Sequence, residues 1–355
     1  MGLPFRCFAG LAVGLVRLMA SDPGSNAESF RTGAPPRATV FAVQDSSATA
    51  LFIPNPEVVR HLVDRGVAAL AGRPSASEAW RSLLPPGDSI GFKVTSAPGE
   101  VAGTRLAVVR ALVESLQASG HPSSRIAIWD KRPSDLRRAG WYRLADELGV
   151  RCIAAEDAGW DPDPFKAYEK PVLGRLVAGD LEFPNKEDPG AGRRSFVSRL
   201  LSQELNHIVP VSPVLNHNVA GVNGQLLGLA YASVDNTLRF VNNPGLLAET
   251  VPEICALDDV LPKVLFGVTD ALICQYRGED TTRLHQAIAL NELRFSRDPV
   301  ALDVLAIADI ERARGGSPDA QIPENRIRTE LFANAELLDL GVADLKRIEL
   351  VRPSH

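Results

Sequence analysis

The chain has too little of several things for whole classes of function to fit. It has four cysteines in 355 residues, Cys7, Cys152, Cys255 and Cys274, and no two share a C-x-x-C spacing. Zinc knuckles and cysteine-held iron–sulfur clusters need grouped thiols, so neither is expected, and no disulfide framework is implied. Cys152 and Cys274 lie in apolar, strand-like runs and read as small core residues. Concentrated basic charge is also lacking: the net charge is −5, and basic runs such as Arg137-Arg138 and Arg193-Arg194 are short. Binding a phosphate backbone needs a dense basic surface, which argues against a nucleic-acid partner. Past the N-terminal region no segment reaches the roughly 18 apolar residues of a membrane span. No internal repeat of fixed period occurs.

What the chain does have is a globular composition, 45% hydrophobic and 23% charged, and enough length for a sizeable core. The start, "MGLPFRCFAGLAVGLVRLMASDPG", places Arg6 before an apolar run from Cys7 to Val16 and Ala20 before a polar stretch. That order resembles a secretory signal peptide, although Arg17 and Leu18 depart from the pattern. Residues 1–36 are expected to be a signal-like tail. An extracytoplasmic or periplasmic location follows from it, with a cytoplasmic one as the alternative.

From Ala38 the texture alternates. "ATVFAVQ" has strand length, and "NPEVVRHLVDRGVAALAG" carries an apolar stripe with a stop signal at Gly72. "SIGFKV" is a second strand. Thr104 offers an N-cap to a helix that ends at Gly120, and "SRIAIWD" is the strand after it, finishing at Asp130. Further strands are expected from about Ile208, in "PKVLFGVTDALICQY" and in "NELRFS". This alternation predicts one α/β domain over residues 37–350, with a mostly parallel, Rossmann-like sheet and helices on both faces. The Pro-, Gly- and Asp-rich residues from about 157 to 195 break the rhythm and read as an irregular insertion.

In such a sheet, ligands sit outside the carboxyl ends of the strands. The polar residues expected there are Lys93, Asp130, Asn216, His217, Asn218, Asp270 and Asp298. Lys93, inside "GFKV", is either a cation facing the crevice or a lysine that snorkels to solvent. His217 is either a general base or metal ligand, or an ordinary loop histidine. Gly221, Gly224 and Gly228 permit close backbone approach to a ligand, or simply a tight turn into a packed helix; the segment is neither G-x-G-x-x-G nor a Walker sequence. Asp270 reads as a strand-end carboxylate that faces a ligand or caps a turn.

"SRDPVALDVLAIADIERA" is a helix start, with Asp298 as N-cap and Pro299 at the first helical position. Asp303 is the awkward residue in it. At about 100° per residue it falls between Ile310 and Ile307 on a helix that is apolar almost all round. A carboxylate there needs a cation, a metal or several donors.

"GDSIGFKV", "PVLNHNVAGVNGQLLGLAYASVDNTLRF", "VTDALI" and "SRDPVALD" together resemble the domain of unknown function 362 family, over roughly Pro86 to Ile310. The resemblance implies an α/β fold, and export signals are common in the branch it points to. It carries over Lys93, His217, Gly221, Asp270, Asp298 and Asp303. It implies no general activity, and nothing here matches the cysteines of the ferredoxin-like module of some members. Two departures stand out. Relatives usually have a lysine shortly before the histidine, where this chain has Asn216, and Lys-Asn where it has Leu227-Gly228.

Two functions from different classes follow. In the first, Lys93, His217, Asp270 and Asp303 converge on a crevice that takes a small polar ligand or a divalent metal. Lys93 is then an electrostatic clamp, His217 a proton carrier and Asp303 a ligand or acid/base, with Asn216, Gly221, Gly224, Asp270 and Asp298 contributing to binding. In the second, the protein is a non-catalytic binding or accessory protein with a degenerate site, and Asp303 is ion-paired to Lys93 or Arg239.

Overall fold

The computed structural model describes residues 36–163, 167–169, 194–241, 243–279, 281–315 and 323–353. The signal-like tail, Cys7 and most of the expected insertion lie outside the described residues. In chain order the first third holds β1 (Ala38–Gln44), the small hairpin β2 (Thr49–Ala50) and β3 (Ile53–Pro54), α1 (Pro56–Ala71), α2 (Ala76–Leu83), β4 (Ile90–Val94), α3 (Gly99–Ala102) and α4 (Leu106–Ala118). The middle holds β5 (Ile126–Asp130), α5 (Pro133–Arg138), α6 (Trp141–Leu148), β6 (Arg151–Ala154), α7 (Ala155–Ala158) and a pair formed by β7 (Ala167–Glu169) and β8 (Arg194–Phe196). Then follow β9 (His207–His217), β10 (Gly221–Val222), α8 (Gln225–Ser233), α9 (Leu238–Val241) and α10 (Pro244–Cys255). The chain closes with β11 (Gly267–Gln275), β12 (Ala287–Ser296), α11 (Pro299–Ala313), α12 (Pro323–Leu337) and β13 (Ile348–Val351).

The main sheet runs in the order β13-β1-β12-β11-β9-β4-β5-β6, with β10 added on β9. From β11 through β9, β4 and β5 to β6 every pairing is parallel. β12 runs antiparallel to both its neighbours, β11 and β1. The connection from β11 to β12, residues 276–286, turns the chain straight back without the longer helical crossover that a parallel partner requires.

The strand sequences sort their side chains onto two faces with period two. Ile126 and Ile128 of β5 enter one core, together with α1, α2, α4 and α6. Ala127 and Trp129 enter the other, with α8, α10, α11 and α12. Helices therefore cover both faces, as the alternation predicts. In β4, Ile90, Phe92 and Val94 all belong to the first core, which puts Gly91 and Lys93 on the opposite face, where Lys93 reaches Gly228 of α8.

Local signals explain several helix ends. Asn55 accepts the Glu57 N–H at the start of α1, and Gly72 closes that helix at φ 60°. Thr104 departs from its expected role. Its hydroxyl donates to the Val211 carbonyl and accepts from the Thr95 N–H, so Arg105 occupies the N-cap position of α4.

Candidate functional site

Chain order and sheet order locate a crevice. The chain lays down β4, β5 and β6 in one direction, then returns to place β9 on the other side of β4. The carboxyl ends of β4 and β9 are thus a topological switch point, where open α/β sheets take their ligands. A pocket of about 180 Å³ lies there, lined among others by Lys93, Thr95, Asp130, Lys131, His217 and Tyr231.

Lys93 and Asp130 sit on adjacent strands, with Nζ 3.5 Å from Oδ1, and both are buried. Burial pulls the Lys93 ammonium below the usual lysine range, and the Asp130 charge and hydrogen bond oppose that pull. Asp130 is fixed in place. Its Oδ2 accepts from the Ser96 N–H at 2.8 Å and the Ser96 hydroxyl at 2.5 Å, and its Oδ1 from the Lys131 N–H at 2.8 Å. Gly228 lets the amine approach: a Cβ on it would lie 2.9 Å from Lys93 Nζ.

Lys131 is held differently. Its ammonium donates to the Asp235 carbonyl at 2.6 Å and to Thr237 Oγ1 at 2.9 Å, and lies 4.7 Å from the centre of the Tyr231 ring. Burial pushes the Tyr231 phenol up to about 12. Asp135, on the pocket wall, is raised by burial and held back by Arg138 at 3.0 Å. His217 ends β9, and its Nδ1 accepts the Val219 and Ala220 N–H groups at 3.3 and 3.0 Å. The neutral ring therefore carries its proton on Nε2. Two hydroxyls here make no hydrogen bond among the described residues: Thr95 Oγ1, on a pocket residue, and Ser212 Oγ, close to Gly228.

Of the residues expected in the site, the structure brings Lys93, Asp130 and His217 into this pocket, together with Gly228. The others have different work. Among the described residues Asp303 meets no cation. Its two carboxylate oxygens accept the Gln225 and Leu226 N–H groups, at 2.7 and 3.0 Å, at the start of α8. The anion-attracting end of that helix is thereby occupied by the protein's own carboxylate. Gly224 is required because a Cβ would lie 2.1 Å from Asp303 Oδ1; it admits a side chain, not a ligand. Asp298 caps α11 through the Ala301 N–H and also accepts from Val342, both at 2.8 Å.

Asp270 is not at a strand end. It lies inside β11, fully buried, and accepts the Arg105 N–H at 3.0 Å and the Arg105 guanidinium at 3.1 Å. Asn216 is buried and tied to Glu279 N–H and Asn218, away from the pocket lining. Gly221 serves the turn between β9 and β10 at φ 86° and pairs with His217. Asp303, Gly224, Asp298, Asp270, Asn216 and Gly221 thus make contacts within the protein, and none of them lines this pocket.

The residues missed at this pocket are Lys131, Thr95, Asp135, Asn223, Leu227, Tyr231, Ala97 and Val241. Lys131 and Thr95 directly follow strands, a signal that was available. Tyr231 is hidden in an apolar helix. Among the described residues no group of three or more His, Cys, Asp or Glu side chains gathers to hold a metal ion. Of the cysteines, Cys274 is buried and Cys152 half-buried.

No protein-family model and no curated protein matches the chain. Among solved structures, a protein from Thermotoga maritima aligns over 61% of this chain at 13% identity and a TM-score of 0.35. The alignment spans 50% of that protein's length.

Proposed function

We propose that the pocket at the β4/β9 switch point binds a small polar ligand, and that the protein acts on it as an enzyme. The observation that carries this reading is the convergence of Lys93, Asp130, Lys131 and His217 on one pocket at the carboxyl ends of parallel strands. Lys93 meets the ligand as a cation or amine, and His217 moves a proton through Nε2. On the motifs quoted above, the chain is assigned to the domain of unknown function 362 family, and its signal-like start supports an extracytoplasmic location. Among the described residues no helix is long and apolar enough to cross a membrane. The positions where relatives carry Lys-Asn are Leu227 and Gly228, and both line this pocket. The ligand here meets fewer cations than in those relatives.

Melting of the purified protein against a panel of small carboxylates and phosphates tests the reading. A true ligand at roughly 100 times its Kd adds about 2.7 kcal/mol of stability. Lys93→Met is expected to keep the fold and lose that gain. A panel that leaves the melting temperature unmoved removes the proposal.

Gly228→Ala gives a second check. The new methyl meets the far end of the Lys93 side chain, and alanine is about 1 kcal/mol better than glycine inside a helix. Basal stability should hold or rise while the ligand-induced shift shrinks. Equal shifts in both proteins would place the ligand away from Lys93. The second reading, a binding protein without turnover, is favoured by the firm anchoring of Lys131 on Asp235 and Thr237. A ligand that stabilises the protein and is recovered unchanged would select it.

A further inference from the structure

We infer that Lys93 is an imine-forming amine that captures the carbonyl carbon of a short-chain 2-oxo acid. The inference rests on the ligand pocket proposed above and names the substrate class for it.

The two pocket lysines divide the work. Lys131 Nζ is committed to the Asp235 carbonyl and Thr237 hydroxyl and sits over the Tyr231 ring. It is a fixed positive charge, suited to a ligand carboxylate. Among the described residues Lys93 Nζ pairs with Asp130 alone at 3.5 Å, a contact longer than an ordinary hydrogen bond. Its side chain is 3% exposed, and a desolvated lysine is the kind that attacks carbonyl carbon. Burial also favours its neutral form. Asp130, clamped by Ser96 and the Lys131 N–H, is a base held beside the amine. Thr95 lines the same pocket and its buried hydroxyl makes no hydrogen bond among the described residues, as needed for a group that meets the carbonyl oxygen. The pocket, at about 180 Å³, suits a short chain.

The step balances without a further reactant. Asp130 takes a proton from the Lys93 ammonium, and the nitrogen lone pair forms the N–C bond as the C=O π bond opens. The carbonyl oxygen then leaves as water with two of the three ammonium protons, relayed through Asp130. The iminium keeps the third proton and the positive charge.

The test is reductive trapping. The full-length protein is incubated with pyruvate and cyanoborohydride and mapped by peptide mass spectrometry; the chain has seven lysines, so each is resolved separately. The expected result is an adduct on Lys93 with the mass of pyruvate less one oxygen atom. Its yield should exceed that on every exposed lysine, because burial raises the share of neutral amine at Lys93. Propanal, which lacks the carboxylate, should label Lys93 more weakly. Lys93→Arg should lose the adduct and Lys131→Arg should retain part of it. Absence of an adduct on wild-type Lys93, or labelling spread evenly over exposed lysines, overturns the inference. Pyruvate that raises the melting temperature without being trapped overturns the imine and leaves the pocket. Pyruvate that does neither, where another panel compound stabilises the protein, overturns the inference alone. Failure of every compound in both assays removes both.

Discussion

Asp270→Ala is expected to lower the stability by about 3–5 kcal/mol, the cost of breaking a buried ion pair by removing one partner. Asp270 is 0% exposed in the middle of β11 and Arg105 is 5% exposed at the start of α4. The carboxylate accepts both the backbone N–H and the guanidinium of Arg105, so it satisfies the helix start and the cation together. Alanine leaves the guanidinium buried without its carboxylate, and Arg105 Nε already has no partner. Replacing both residues is the informative control. Asp270→Ala with Arg105→Met removes the stranded charge and should cost less than the sum of the two single changes. Urea titration of the four proteins measures this coupling. A single-variant loss under about 1 kcal/mol, or additive costs, would mean that the pair contributes little.

The strands were readable because their signal is local. "ATVFAVQ" matches β1 residue for residue, and "IAIWD" ends at Asp130 as its apolar run does. The antiparallel course of β12 was not readable, because "NELRFS" has the same apolar content whichever way its neighbour runs. At the site, Lys93 and His217 stand out in the sequence as polar residues at the ends of apolar strands, and both line the pocket. Asp130 was visible in the same way, and Lys131 follows it directly.

The partners of the acids were hidden for a physical reason. Asp270, Asp298 and Asp303 each stood out as a carboxylate on an apolar element. In the fold each takes backbone N–H groups at or near a helix start, of α4, α11 and α8 respectively. Backbone donors are carried by every residue except proline, so nothing in the sequence marks which of them a distant carboxylate will meet. A buried acid is legible as needing a partner, and its partner becomes legible only when helix starts are placed in space.

Asp303 gives the second large effect, and it depends on pH. Asp303→Ala leaves two N–H groups at the start of α8 without an acceptor in a buried site. At about 1–3 kcal/mol for each unsatisfied group, the expected loss is about 3 kcal/mol. Asp303→Asn should cost roughly half as much, since its carbonyl keeps one donor and its amide confronts the other. Burial pushes the Asp303 carboxyl up from 3.8 to about 7, against the pull of the Leu226 and Gln225 N–H groups, with Asp298 adding to the rise. The folded pKa lies above the unfolded one, so between these values the folded protein holds a proton that the unfolded chain releases. Stability from this group is full below about pH 4 and falls as the pH rises through 7. Denaturation midpoints of wild type between pH 4 and 7 should therefore fall more steeply than those of Asp303→Asn, which has no proton to lose at that position. Parallel curves for the two proteins would show that the helix N–H groups keep Asp303 ionised throughout. The start of α8 would then be a permanent ion–dipole contact, with burial overcome by hydrogen bonding.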